Sequence, residues 1–250
     1  MSSPGEDTAS DESNTRLITQ YMFKILVIGD AGAGKTSIIK RYVSDEFANH
    51  CKTTIGVDFA VKVIPWDDDT IVRLQLWDIA GQERYGCLTR VYYKEATGAL
   101  LVYDTTNRSS FSAVEKWKQD LDDKVRLPET LGGGPLPTVL LANKSDLTEG
   151  THQDNCLSPT TTQRLDEYCE SQGFLAWFAT SAKVNRNLDE AARCLVGKLL
   201  DLVQEAEQTG ALPAAALVDG ATKSPGKGPQ SGEIQVDNSS PDTYYSRCCG

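Results

Sequence analysis

The chain has 250 residues, 40% of them hydrophobic and 24% charged, an ordinary composition for a globular protein of one or two domains. Its net charge of −10 argues against a broad basic surface, so no nucleic-acid partner is expected. Seven cysteines, an odd number without zinc-type spacing or a secretion signal, point away from a disulfide framework.

Residues 1 to about 20 are polar and acidic, lack the regions of a signal peptide, and are expected to be a disordered extension. From Phe23 the pattern changes. FKILVIG is a short apolar run expected to form a strand buried on both faces, and Lys35 to Val43 then reads as a helix. VDFAVKVIPW (57–66) and IVRLQLWD (71–78) alternate in polarity, with DDDT marking a hairpin turn between them. ALLVYD (99–104) predicts another buried strand, followed by a helix from about Ser109 to Val125 with Phe111, Val114 and Trp117 on one face. GGGPLP (132–137) reads as a loop leading to the strand TVLLANK. SPTTTQRLDEYCESQ predicts a helix with Ser158 as N-cap and Pro159 in its first position. LAWFATSAK supplies a last strand and NLDEAARCLVGKLLDLVQEA a final amphipathic helix.

Strands alternating with helices predict a three-layer α/β domain. Its sheet is expected to be mainly parallel and six-stranded, with one antiparallel edge strand. The domain should occupy residues 21–206. Beyond it, residues 207–250 shift to Gly, Pro, Ser and Ala and read as a flexible tether. No apolar run approaches the roughly 18–20 residues that a membrane span needs.

The strongest local signal is GDAGAGKT, Gly29 to Thr36, which fits G-x-x-x-x-G-K-[ST] directly after a buried strand and at the start of a helix. Glycines let backbone N–H groups approach a polyphosphate, and the helix N-terminus adds partial positive charge. Lys35 would neutralise the β- and γ-phosphates, and the Thr36 hydroxyl would ligate Mg²⁺. The candidate phosphate-binding set is therefore Gly29, Asp30, Ala31, Gly32, Ala33, Gly34, Lys35, Thr36 and Ser37.

NKSD, Asn143 to Asp146, names the base. The Asp146 carboxylate can accept from guanine N1–H and from the exocyclic amine, neither of which adenine offers. Asn143 can reach the acceptor edge of guanine. SAK, Ser181 to Lys183, follows the next strand and can present the Ala182 N–H to O6. Lys144, Ser181 and Lys183 complete the candidate guanine site. An ATP-using P-loop enzyme remains the rival, and NKSD with SAK speaks against it.

WDIAGQE, Trp77 to Glu83, is the third element. Asp78 can hold Mg²⁺ through a water, the Gly81 N–H can bond a γ-phosphate, and Gln82 can orient the attacking water. Thr54, in TTIGVDF, offers a second hydroxyl to Mg²⁺. Segments ordered by a γ-phosphate and released on hydrolysis make a switch. A guanine-nucleotide scaffold that never hydrolyses is a second rival, against which Gln82 stands.

IGVDF, RLQLWDIAGQERYG, VYYKEA and LVYDTT, in this order, make the chain similar to the Rab family of small GTPases across almost all of residues 22–205. IAGQE, TRVYYKEA and SAVEKWKQDLDDKV resemble the subgroup serving lysosome-related organelles and mitochondria-associated membranes. The resemblance implies a P-loop GTPase (Ras-like) fold, bound GTP or GDP with Mg²⁺, and GTP hydrolysis that is slow without an activating protein. It implies that Phe47 stacks edge-on against the base and that Phe59, Trp77 and Tyr92 form the aromatic surface read by effectors. Two departures stand out. Ala31 occupies the place of the glycine nearest the transferring phosphate in Ras relatives, and Cys51 that of a tyrosine covering the nucleotide in many relatives.

The resemblance also gives meaning to YYSRCCG, Tyr244 to Gly250. Arg247 stands where a C-a-a-X anchor would need its cysteine. Cys248 and Cys249 are instead similar to the paired cysteines on which Rab proteins accept two geranylgeranyl groups. The implied partners are an exchange factor, a GTPase-activating protein, a Rab escort protein with geranylgeranyl transferase, a GDP dissociation inhibitor and effectors. The implied location is the cytosol and, through the lipids, the cytoplasmic face of an intracellular membrane.

Overall fold

Side chains alternate across a strand. In β1 (Thr19–Ile28), Phe23, Ile25 and Val27 therefore enter one apolar cluster, and Leu26 and Ile28 enter another. β4 (Gly98–Asp104) divides in the same way: Leu100 and Val102 face the first cluster, Ala99, Leu101 and Tyr103 the second. β5 (Thr138–Asn143) sends Val139 and Leu141 one way and Leu140 and Ala142 the other. Strands apolar on both faces need a helical layer on each side. Helices α1 (Lys35–Ser44) and α6 (Leu188–Gln208) cover the first face through Ile38, Ile39, Leu195, Val196 and Leu199. Helices α4 (Val114–Lys124) and α5 (Pro159–Ser171) cover the second through Val114, Trp117, Leu121, Leu165 and Cys169.

The computed structural model describes residues 18–48, 52–82, 89–148, 159–211 and 245–247. The expectations for residues 1–17, Cys51, the Ser158 cap, most of the tether, Cys248 and Cys249 fall outside these residues. Strands β2 (Val57–Pro65), β3 (Thr70–Ile79) and β6 (Ala176–Ala179) complete the expected six, in the order β2-β3-β1-β4-β5-β6. β2 pairs antiparallel with β3 at the edge, and the other pairings among the six are parallel. This is the mainly parallel sheet with one antiparallel edge strand that the sequence predicts.

Three details differ. The helix expected from Ser109 to Val125 is two pieces, α3 (Arg108–Ser112) and α4, with Ala113 between them. Asn107 starts α3 by accepting a hydrogen bond from the Ser109 N–H, a side-chain cap that begins the helix earlier than the apolar spacing suggests. The five-residue helix α2 (Thr89–Tyr93) is too short to leave a periodic signal. A seventh strand, β7 (Tyr245–Arg247), pairs antiparallel with β6, so part of the stretch read as a tether contributes sheet backbone.

The sheet reverses its winding between β3-β1 and β4, and in open α/β sheets ligands bind outside the carboxyl ends of strands at such a point. Gly29, Asp78, Asn143 and Ser181 all lie at or just beyond carboxyl ends on this side.

Candidate nucleotide-binding site

Gly29 leaves β1 at φ +139°, and a Cβ there would lie 2.0 Å from the Val102 carbonyl oxygen. Gly34, at φ +99°, would put a Cβ 2.3 Å from Asn143 Nδ2. Both positions exclude a side chain, so the loop is pressed between β4 and β5 by glycines. Gly34 is also the N-cap of α1, which has no side-chain cap and no acidic residue in its first turn. A helix start, whose first N–H groups lie outside the intrahelical ladder and carry partial positive charge, suits a phosphate.

Lys35 folds back into this loop. Its Nζ donates to the carbonyls of Gly29 at 2.7 Å and Asp30 at 3.0 Å, and the residue is only 5% exposed. Burial pulls the ammonium down to about 8, and the Asp78 and Asp30 charges only partly offset this. A polyphosphate in the loop would supply the missing negative charge.

Thr36, Thr54 and Asp78 arrive from α1, the loop before β2, and the end of β3. Thr36 Oγ1 donates to Asp78 Oδ2 at 2.5 Å, and the Thr36 and Thr54 hydroxyl oxygens lie 2.9 Å apart. Thr54 Oγ1 is 3.3 Å from the same Asp78 oxygen. Burial raises the Asp78 carboxyl above its ordinary range, against the Thr36 hydrogen bond and the Lys35 charge. The other oxygen, Asp78 Oδ1, is buried with no hydrogen-bond partner among the described residues. Two hydroxyls and one carboxylate are a hard, oxygen-only set of the kind Mg²⁺ takes when it keeps waters and adds substrate phosphates. The donor set and the orphaned oxygen fit that ion.

Gly81 rests on the phosphate loop: a Cβ there would lie 2.2 Å from Ala31 N and 2.6 Å from the Asp30 carbonyl carbon. Gln82 follows, exposed, and lines the same cleft as Ala31.

At the far end, the Asn143 amide joins two loops. Its Nδ2 donates to the Ala33 carbonyl at 2.8 Å, and its Oδ1 accepts from the Ala182 N–H at 3.3 Å. Asn143 is thus a brace between the glycine-rich loop and the SAK loop. Ser181 Oγ donates to Asp146 Oδ1 at 2.6 Å and so orients that carboxylate. Lys144, at φ +65°, turns its Nζ away to Asp104 Oδ2 at 2.7 Å. Burial alone would push Asp104 up, but the Lys144 ammonium and the Thr106 hydrogen bonds outweigh it and hold the carboxyl below its usual value.

One cleft of about 370 Å³ joins both ends. Gly32, Gly34, Lys35, Thr36 and Ser37 line it beside Ala31, Thr54, Gly81 and Gln82, and so do Phe47, Asn143, Lys144, Asp146, Ser181, Ala182 and Lys183. Gly29, Asp30, Ala33 and Asp78 are not among its lining residues. The sequence motifs did not mark Lys52, Thr53 and Leu147, which also line it.

Two supporting residues carried no motif signal. Trp117, placed by its spacing on the core face of a helix, donates from Nε1 to Asp30 Oδ1 at 2.8 Å and ties α4 to the phosphate loop. Arg41, on α1, reaches the SAK loop with Nε 2.9 Å from the Ala182 carbonyl.

Away from the cleft, Phe59 and Trp77 face each other across β2 and β3, with ring centroids 6.3 Å apart. Phe59 is 66% exposed, which no core role explains, whereas Trp77 and Tyr92 are half-buried against the second cluster. Lys24 Nζ sits 3.8 Å from the Trp77 ring centroid. Among the described residues, no helix is long and apolar enough to cross a membrane.

A mainly parallel sheet with a glycine-rich loop between its first strand and a helix start, opening on one cleft, is the architecture of a P-loop protein. Comparison with known proteins narrows the class. The Ras family model matches residues 24–201. The human Ras-related protein Rab-32 (Homo sapiens) is 58% identical over 72% of this chain and 76% of its own length. Ras-related protein Rab-32A of Dictyostelium discoideum is 56% identical over 72% of this chain and 79% of its own. Ras-related protein Rab-7L1 of Rattus norvegicus is 48% identical over 74% and 85% respectively. The chain therefore belongs to the Ras family of small GTPases, within its Rab branch. It is a GTP-hydrolysing enzyme that binds GTP and GDP.

Proposed function

We propose that this chain is a Rab switch that cycles between GDP and GTP and, in its GTP form, recruits effectors to the cytoplasmic face of an intracellular membrane. The membranes are those of lysosome-related organelles, or endosomal or mitochondria-associated ones. Support comes above all from one observation: Thr54 and Gly81, from the two segments that a γ-phosphate would order, are both seated against the phosphate loop.

In this mechanism Lys35 and the backbone donors from Gly29 to Ser37 hold the polyphosphate. Thr36 and Thr54 would hold Mg²⁺, with Asp78 reaching it through a water, and the ion would supply charge neutralisation at the phosphates. Gln82 orients the attacking water, while the Gly81 N–H steadies the γ-phosphate. Asp146 accepts from guanine N1–H and the amine, Ala182 N–H donates to O6, Asn143 reaches the acceptor edge, and Phe47 covers the ring. Lys144 shapes the turn through its bond to Asp104, and Ser181 and Lys183 frame the SAK loop. Phe59, Trp77 and Tyr92 report the state of the switch to effectors.

Ala31 sets the rate. Gly81 packs on its backbone, and Ala31 lines the same cleft as Gln82, where an added methyl would crowd Gln82 and any arginine supplied by an activating protein. Ala31→Gly is expected to speed single-turnover GTP hydrolysis by about tenfold, since relieving crowding near reacting atoms readily changes rates on this scale. An unchanged rate would remove this explanation of a long-lived GTP state.

Membrane attachment is assigned to geranylgeranyl groups on Cys248 and Cys249, added with an escort protein and transferase and masked in the cytosol by a GDP dissociation inhibitor. The stretch from Gln208 carries Lys223, Lys227 and Arg247 against Asp219, Glu233, Asp237 and Asp242, so no basic patch assists. One lipid gives marginal binding and two give stable binding. After treatment with escort protein, transferase and geranylgeranyl diphosphate, the unsubstituted protein should sediment with vesicles, and the Cys248→Ser,Cys249→Ser protein should stay in the supernatant. Retention in the pellet would refute the anchor. An exchange factor and an activating protein complete the cycle.

A further inference from the structure

We propose that Arg41 is a positioning residue for guanine recognition, acting through the SAK loop. It rests on the assignment of the Ala182 N–H as the donor to guanine O6. That N–H can discriminate a base only if its loop is held at a fixed distance from the phosphates, and SAK lies about 140 positions further along the chain than α1.

Arg41 supplies the link. Its Nε donates to the Ala182 carbonyl at 2.9 Å and its Nη2 to the Lys183 carbonyl at 3.3 Å. Its Nη1 donates to the Asp45 backbone carbonyl at 2.8 Å and to Asp45 Oδ1 at 2.9 Å. Asp45 is the left-handed C-cap of α1, and Phe47, two residues on, has its ring 5.9 Å from the guanidinium carbon. One planar fork therefore holds both segments that close on the base: SAK on one side and the turn carrying Phe47 on the other. Arg41 belongs to the helix whose first turn carries Lys35 and Thr36, so it couples the base end of the site to the phosphate end through rigid backbone.

An ion pair alone does not account for this arrangement. Asp45 is 79% exposed and Arg41 17% exposed, and such a pair contributes little. The part-buried contact is the one from Nε to the Ala182 carbonyl, with the Lys183 carbonyl reached at the surface. Lysine, a compact ammonium with rotatable donors, lacks the planar fork that reaches the SAK loop and the Asp45 turn in fixed directions.

The test compares GDP with 6-thio-GDP, which keeps N1–H and the amine but offers a poor acceptor at position 6. Dissociation rates of both are measured on the full chain, in the wild-type protein, Arg41→Lys, Arg41→Met and Asp45→Ala. Wild-type protein should release GDP several-fold more slowly than 6-thio-GDP. In both Arg41 variants GDP release should accelerate by about three- to tenfold, the worth of one neutral hydrogen bond, with 6-thio-GDP release much less affected. The preference thus collapses, while Asp45→Ala keeps it. If both nucleotides accelerate in parallel, Arg41 is merely structural and the proposal fails. The urea midpoint of the GDP-loaded variants reports their folding, and Arg41→Met retains the stem packing if Arg41→Lys is unstable. A wild-type protein without preference would instead overturn the O6 assignment of Ala182, and the proposal with it.

Discussion

Asp146→Asn should weaken GDP binding by on the order of 10³- to 10⁴-fold and create affinity for xanthosine diphosphate, as measured by displacement of a fluorescent nucleotide. The carboxylate offers two acceptors to two guanine donors, and the Ser181 hydroxyl at 2.6 Å fixes its orientation. An amide offers one donor and one acceptor, which leaves the guanine amine unpaired but matches the carbonyl that xanthine carries there. Buried polar sites reject a mismatched partner by factors of this size because a desolvated group is left without a bond. The folded protein should survive, because Asn keeps an oxygen for Ser181. Unchanged GDP affinity would show that Asp146 does not read the base.

Gly81→Ala should slow GTP hydrolysis by about 10²-fold, the usual cost of a displacement near 1 Å at a reacting centre, while GDP binding stays nearly intact. The reason is steric. A Cβ at this position would lie 2.2 Å from Ala31 N and 2.6 Å from the Asp30 carbonyl carbon, and both neighbours are backbone atoms that cannot move aside cheaply. The segment must then lift off the phosphate loop, taking the Gly81 N–H and Gln82 away from the γ-phosphate. The GDP state needs neither contact. Single-turnover hydrolysis beside equilibrium GDP titration separates the two effects. A variant that hydrolyses GTP at the normal rate would show that Gly81 need not sit on the loop.

The central strands and the domain plan were legible because apolar runs such as FKILVIG and TVLLAN have little choice but a sheet buried on both faces. The three nucleotide motifs were legible because each sits at a strand end and its chemistry needs few residue types. What stayed hidden is what holds the motifs together. Trp117 has the spacing of a core residue and is 1% exposed, yet its indole N–H reaches the Asp30 carboxylate. Arg41 looks like a solvated residue of an amphipathic helix, and only the tertiary fold brings SAK to it. Asn143 was expected at the base and is also the brace between Ala33 and Ala182. The break at Ala113 was hidden because Phe111, Val114 and Trp117 keep an unbroken apolar spacing across it, and the Asn107 cap decides where α3 begins. Local periodicity encodes which face of an element is buried, whereas contacts spanning 87 or 141 positions depend on sheet order.

Every role assigned to this cleft requires that it bind guanine nucleotides specifically. Displacement of fluorescent GDP by unlabelled GTP and by ATP tests it directly. GTP should compete at near-stoichiometric concentration, and ATP should fail to compete even at about 10⁴-fold excess, the discrimination that a site of buried, paired donors and acceptors reaches. Displacement by ATP at a concentration comparable to GTP would contradict it.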